Sequence, residues 1–143
     1  MQTTDLNHLE LLDVWCEQDT GMRVRVNFPF FAATGTEHSA VVYFEIAPGH
    51  HLGTHTDSAE EIVLILDGTV EASLGEERAT LSAGQAALIP AMVPHGIHNT
   101  GNATARCVGF FAAAEVVSTF DQPMMPFGQR AVGTPPMAVS VSQ

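Results

Sequence analysis

Residues 49–68 read GHHLGTHTDSAEEIVLILDG: two glycines enclose a histidine-rich run, a short turn and then a nearly continuous apolar run. Along an extended strand alternate side chains share a face, so His55 and Asp57 point the same way. A turn at Ser58-Ala59 returns the chain, and Glu61 comes back to that face on the next strand. A second stretch, residues 84–99, reads GQAALIPAMVPHGIHN and carries His95. No local geometry unites His95 with His55 across some forty residues, so a further strand must be brought alongside. Two imidazoles and a carboxylate converging from separate strands are the set that leaves open positions on non-haem iron, and zinc or manganese can use it too.

Outward from these two stretches the chain continues in short β-prone runs divided by turn signals. MRVRVNF (22–28), SAVVYFEIA (39–47), TVEASL (69–74), RATL (78–81) and TARCVGFFA (104–112) are rich in β-branched and aromatic residues. Pro48-Gly49, Asp67-Gly68, Gly75, Ala83-Gly84, Pro94 and Thr100-Gly101-Asn102 punctuate them. Strands this short and close, with no helical period between them, predict an all-β sandwich or barrel. In residues 61–66 Ile62, Leu64 and Leu66 fall on one face and Val63 and Ile65 on the other with Glu61. A strand apolar on both faces suits a barrel whose interior lines a pocket and whose exterior packs on a sheet or a second subunit, hence the expectation of a homodimer.

The flanks read differently. Residues 5–20 place Leu6, Leu9, Leu12 and Val14 among acids, as a short helix or an irregular arm packed by Trp15. Residues 114–143 combine AEVVSTF with a tail rich in proline and glycine, whose Met124, Met125, Phe127 and Val132 are too apolar for a solvated linker. The expected organisation is an N-terminal arm over 1–21, a barrel over 22–113, and a C-terminal extension over 114–143 that packs on the barrel or a partner and ends loosely.

Composition narrows the function. At 143 residues and 45% hydrophobic, the chain suits one domain with a core of its own. Net charge is −11, and the five basic residues, Arg23, Arg25, Arg78, Arg106 and Arg130, are scattered. That argues against nucleic acid or an anionic membrane as partner. No apolar stretch approaches the roughly 20 residues that span a bilayer, and the acidic N-terminus lacks the order of a signal peptide, so the expected location is cytoplasmic. Cys16 and Cys107 are far apart and outside any CxxC, so neither a disulfide framework nor a thiolate metal site is suggested, and Cys107 reads as a small buried hydrophobe. No GxSxG, P-loop or GxGxxG appears in strand-to-helix context.

The spacing of the two stretches resembles the paired motifs of the cupin superfamily, G(x)5HxH(x)3-4E(x)6G and G(x)5PxG(x)2H(x)3N. Gly49, His55, Glu61 and Gly68 match the first; Gly84, Pro90, His95 and Asn99 match the second. Asp57 stands where the family has its second histidine, and Met92 where it has an internal glycine. The resemblance implies a small single-domain cupin of the conserved-barrel type, a jelly roll or double-stranded β-helix. It also implies one divalent transition metal held by His55, Glu61 and His95, with Asp57 at the fourth ligand position. If Asp57 ligates, the site is one unit more negative than with three histidines, which weakens Lewis acidity and favours iron or manganese. If it only hydrogen-bonds, it serves as a nearby base or holds a water. Iron is the first choice of metal, with manganese, zinc, nickel and copper as alternatives.

His51 is a rival ligand. Four residues before His55 on a regular strand it lies on the same face but about 13 Å away, and only a bulge, for which Gly53 is well placed, brings it in. His50 and His98 fall on the opposite parity from His51 and His95. Tyr43, Phe44, Val63, Ile65, Phe110 and Phe111 read first as plain core residues, and second as residues that line or support the pocket. The implied function is catalysis on a small organic molecule that chelates the metal through oxygen, with dioxygenase-type chemistry first and Glu61 or Asp57 as the group that takes a proton. Redox-neutral lyase or isomerase chemistry is the alternative, and a non-enzymatic binding or sensing module the reading from a different class.

Overall fold

The computed structural model describes residues 1–136. Among them the chain forms twelve strands: β1 (Leu12–Cys16), β2 (Arg23–Phe30), β3 (Ala40–Ile46), β4 (His51–Asp57), β5 (Glu61–Asp67), β6 (Thr69–Leu74), β7 (Glu77–Ser82), β8 (Ala86–Ile89), β9 (His95–Asn99), β10 (Ala105–Phe111), β11 (Ser118–Met125) and β12 (Gln129–Val132). The only helical element described is a single 3-10 turn, Ala32–Thr34. Neighbouring strands follow the order β7-β6-β9-β4-β11-β1-β2-β3-β10-β5-β8, with β12 beside β11, and every pairing is antiparallel. The run curls into a nearly closed barrel, as the sequence predicts.

Gly68 shows why the chain can pass from one wall of this barrel to the other within one residue of the end of β5. Its φ is 89°, and a Cβ there would stand 2.9 Å from the Ala105 Cα. Only glycine meets both the left-handed backbone and the close approach.

Strand parity then sorts the side chains. Val24 and Val26 of β2, Val42 and Phe44 of β3, Val63 and Ile65 of β5, Val70 of β6 and Ile97 of β9 are buried in one continuous core. On the outer face a row runs across four strands, Leu88 opposite Ile62, Ile62 opposite Phe110, and Phe110 opposite Val41; Leu88, Ile62 and Phe110 are exposed.

The flanks are built into the sheet. Residues 12–16 form a strand rather than a helix, lying between β2 and β11. Residues before it cross the outer face, where Arg106 Nη2 donates to Asn7 Oδ1 at 2.8 Å and Asn27 Nδ2 donates to the Glu10 carbonyl at 2.9 Å. At the other end β11 pairs with β4, placing Ser118 opposite Asp57 and Phe120 opposite His55. The expected loose end falls on residues 137–143, outside the described residues.

Candidate metal centre

The centre begins with the register of β4 and β9. His51 pairs with His98 and Leu52 with Ile97, but the next pair is His55 with His95, so three steps along β4 match two along β9. The extra residue is a β-bulge around Gly53 and Thr54, and Gly96 faces it closely enough that a Cβ would stand 3.0 Å from the Leu52 carbonyl oxygen. An inserted residue reverses parity. The bulge foreseen at Gly53 is therefore present, but it turns His51 out of the barrel while His55 stays inside, which removes His51 from the ligand set.

Inside, both imidazoles are oriented by their own strands. His55 Nδ1 lies 2.7 Å from the Gly53 carbonyl and His95 Nδ1 2.9 Å from the Val93 carbonyl. A carbonyl can only accept, so each Nδ1 carries a proton and each Nε2 points inward, where it presents a lone pair once it holds no proton of its own. The rings are 4.1 Å apart at their centroids and tilted by 50°, and Phe120 stacks on His55 at 4.7 Å.

Asp57 completes the trio. Its Oδ1 accepts a 2.6 Å hydrogen bond from the Ser118 hydroxyl, which turns Oδ2 toward the histidines, 3.0 Å from His95 Nε2 and 3.6 Å from His55 Nε2. One donor atom from each of His55, Asp57 and His95 lies within 4.8 Å of the other two. Glu61 stands one step outside, with Oε1 3.6 Å from His95 Nε2. It rests on Gly109, where a Cβ would collide with its Oε2 and reach within 2.7 Å of Val42 Cγ1. Both acids expected at the site are thus present, Asp57 in the tight cluster and Glu61 beside it.

All four residues are buried, and no lysine or arginine accompanies them. Asp57 Oδ2 and His95 Nε2 stand 3.0 Å apart as an ion pair, and among the described residues neither has a hydrogen-bond partner. Two buried atoms without a hydrogen bond, a donor set of nitrogen and carboxylate oxygen, and two acids with no lysine or arginine fit a divalent ion, which would take the place of a proton on His95, satisfy both atoms and balance both charges.

The protonation pattern without metal follows from the same crowding. Burial opposes charge on His95, but contacts with Asp57 and Glu61 outweigh it and raise its pKa to about 10. Burial, reinforced by the neighbouring Asp57 charge, pushes Glu61 up to about 7. Burial also works against the Asp57 carboxylate, yet His95, His55 and the Ser118 hydroxyl hold it below its ordinary value. Burial keeps His55 below the usual histidine range. Elsewhere Cys16 and Cys107 are both free and buried, and burial pushes the Cys107 thiol up to about 12.

The cluster forms the polar end of a cavity of about 90 Å³, walled by apolar side chains that include Val26, Phe44, Val63 and Phe111. Tyr43 does not line it but is buried, as the core reading has it, with its hydroxyl bonded to Glu45 and Arg106; Phe110 lies on the exposed row, in neither the core nor the pocket. Ile65 is fully buried but away from the cavity. Ser118, Phe120 and Gly109 belong to the site and were not singled out in the sequence. For Gly109 a signal existed, a glycine inside the apolar strand ARCVGFF, which marks close approach by another group.

The remaining motif histidines lie outside. His51 and His98 stack at 4.5 Å with rings 13° from parallel, and His51 Nε2 is 2.7 Å from Asp19 Oδ2. His50 sits in the turn before β4, its carbonyl accepting from the Asn99 N–H. Asn99 itself ties loops together, donating from Nδ2 to the Ile46 and Ala103 carbonyls.

Comparison with known proteins agrees with the fold. The family model described as "Cupin domain" matches residues 42–111. Among solved structures, the Lactobacillus farciminis oxalate decarboxylase in a formate complex superposes with a TM-score of 0.60 at 18% identity, covering 64% of this chain and 29% of that one. A putative sugar phosphate isomerase from Acidithiobacillus ferrooxidans gives 0.65 at 18% identity over 84% and 79% of the two chains. The polyketide cyclase RemF from Streptomyces resistomycificus gives 0.64 at 16% identity over 78% of each. The chain thus spans less than a third of the decarboxylase, and identities this low speak for the fold alone. No curated protein matches the sequence.

Proposed function

From its place in the cupin superfamily, to which this chain belongs, we propose that it is a metal-dependent enzyme acting on a small organic molecule that offers oxygen atoms to the metal. The observation that carries the reading is the pair of buried, orphaned donor atoms, Asp57 Oδ2 and His95 Nε2, beside the inward Nε2 of His55. His55, Asp57 and His95 would hold the ion, with Glu61 as a fourth donor. A divalent metal in such a site supplies Lewis acidity and, where it is iron, a route to dioxygen chemistry.

The chain's own residues have separate tasks. The Gly53 and Val93 carbonyls fix the two histidines, and Ser118 fixes Asp57. The apolar walls exclude water from the polar end of the cavity, which strengthens every electrostatic interaction there. Glu61, buried beside the trio with Oε1 3.6 Å from His95 Nε2, is placed to take up or give a proton at Oε1 when it does not hold the ion.

Within this class the dioxygenase-type oxidoreductase is the first reading, because the trio leaves positions open for substrate and dioxygen together. A buried carboxylate beside the trio, Glu61, favours a second, redox-neutral lyase or isomerase. Protein purified without added metal is assayed for metal content and then for oxygen uptake with a neutral diketone or phenol. Bound iron with stoichiometric oxygen uptake is the expected result. Turnover under strict anaerobiosis selects the second reading, and a chain that takes up no metal is left as a binding module.

A further inference from the structure

The distribution of positive charge restricts what the cavity can accept. The chain has no lysine, and each of its five arginines is engaged elsewhere. Arg23 lies over the Trp15 ring at 5.4 Å, Arg25 meets Glu45 at 3.6 Å, and Arg78 meets Glu71 at 3.7 Å. Arg106 donates to Asp67 and Tyr43, and Arg130 Nε donates to the Phe120 carbonyl at 2.9 Å. None of the five lines the cavity.

What does line it is polar at one end only. Beyond His55, Asp57, Glu61, His95 and Ser118 the lining side chains are apolar. Part of the roof comes from Val132 at the end of β12 and from Gly133 and Pro136 after it. This strap is pinned where the Thr134 hydroxyl accepts from the Val116 N–H at 3.1 Å and donates to the Val116 carbonyl at 2.8 Å.

Charge balance then decides the class of ligand. With a divalent ion in place, the carboxylates of Asp57 and Glu61 neutralise it without help from a ligand. A dianionic substrate would add two negative charges to a buried, balanced site with no guanidinium or ammonium to pair them, and an unpaired buried charge costs several kcal/mol. A neutral ligand meets no such penalty and gains from apolar walls. Size narrows it further: an engineered apolar cavity of about 150 Å³ takes benzene. One of about 90 Å³ therefore takes a short molecule or only the leading end of a larger one.

On the reading of this site as a metal centre, we infer that its substrate is an uncharged, mainly apolar molecule that presents carbonyl or hydroxyl oxygen to the metal, and that the site rejects small dianions. The substrates named for two of the superposed structures, oxalate and a sugar phosphate, fall on the rejected side.

The test compares two chelators of similar size and equal denticity against the full chain loaded with Co2+ at pH 7: 2,4-pentanedione, which enters uncharged and binds as its enolate after giving one proton to the buffer, and oxalate, which brings two charges with it. Visible cobalt bands report ligand binding, and metal content after desalting reports that the ion is retained. Pentanedione is expected to shift the bands, and oxalate to leave them unchanged at concentrations up to about 100-fold higher, the ratio expected from an unpaired buried charge. An equal or stronger response to oxalate, or no response to either with cobalt retained, overturns the substrate class and leaves the metal centre standing. Failure to take up cobalt removes the metal reading and the inference with it.

Discussion

Strands β4 and β9 carry a histidine pair on each face, and the two pairs have opposite chemical character. Inside, His55 and His95 are tilted by 50°, with both Nδ1 atoms committed to backbone carbonyls and both Nε2 atoms free to converge with Asp57. Outside, His51 and His98 lie nearly parallel, and Asp19 already occupies His51 Nε2. Imidazole lone pairs lie in the ring plane, so stacked rings do not aim at a common point. Proximity of two histidines and an acid is common to both faces; the fixed direction of the lone pairs belongs only to the inner one.

The largest effect expected from this difference is on metal binding. His55→Ala and His95→Ala should each weaken affinity about 100-fold or more, because losing a ligand costs at least as much as losing a residue that merely orients one. His51→Ala and His98→Ala should leave affinity within about threefold and cost under about 1 kcal/mol, as exposed ion pairs do. Competition with a chromophoric chelator measures all four. Equal losses on the two faces would erase the distinction.

Glu61 offers the next test, through a residue it does not bond to. Gly109→Ala puts a methyl group where Glu61 Oε2 now sits and against Val42. Overpacking of this kind should cost about 1–3 kcal/mol in urea unfolding. If Glu61 assists the trio, metal affinity falls as well. Stability and affinity both unchanged would mean that Glu61 moves aside freely and has no set place at the centre.

These residues also show how far the sequence could be read. The paired motif spacing and the closely set turns identify the barrel because each motif glycine and turn is a local event. His55, Asp57, Glu61 and His95 were legible for the same reason, each by its spacing within one motif. Ser118 and Phe120 were not, because they reach the site only when the C-terminal flank pairs as β11 beside β4. His51 misleads since a single bulged residue inverts parity. Phe110 misleads because β10 is apolar on both faces and this outer position stays exposed, whereas Tyr43 is buried as read, on the side partly covered by the N-terminal residues that hold Arg106.

The pH dependence of the inner face gives a smaller effect of definite sign. In the metal-free protein the pKa of His95 is raised to about 10, so the stability it contributes is complete below its ordinary value of 6.5 and is lost as pH rises toward 10. Glu61, raised to about 7, adds a loss of the same sign between 4.5 and 7. His55, held low, opposes them only below 6.5. Between pH 7 and 9 His95 is left to act, and the melting temperature of metal-free protein should fall. Bound metal displaces that proton, so its affinity should rise by up to about tenfold per pH unit and widen the gap between loaded and metal-free protein. A metal-free melting temperature that rises from pH 7 to 9 contradicts this protonation pattern.

The smallest effect separates the scaffold of the inner face from its ligands. Met92 holds φ at 65°, a left-handed backbone at the position where the family motif has glycine, and its side chain is exposed. Its N–H donates to the Asp57 carbonyl at 2.8 Å, so this turn ties the loop before His95 to the strand that carries Asp57. A non-glycine residue in this region costs about 1–2 kcal/mol, while glycine gives back part of that by loosening the unfolded chain. Met92→Gly should therefore stabilise the protein by about 0.5–1 kcal/mol, measured by urea unfolding, with metal affinity unchanged because no donor atom moves. Were affinity to change as much as stability, the Met92 turn would be positioning Asp57, and the inner face would owe its geometry to strain in this loop as well as to Ser118 and the two backbone carbonyls.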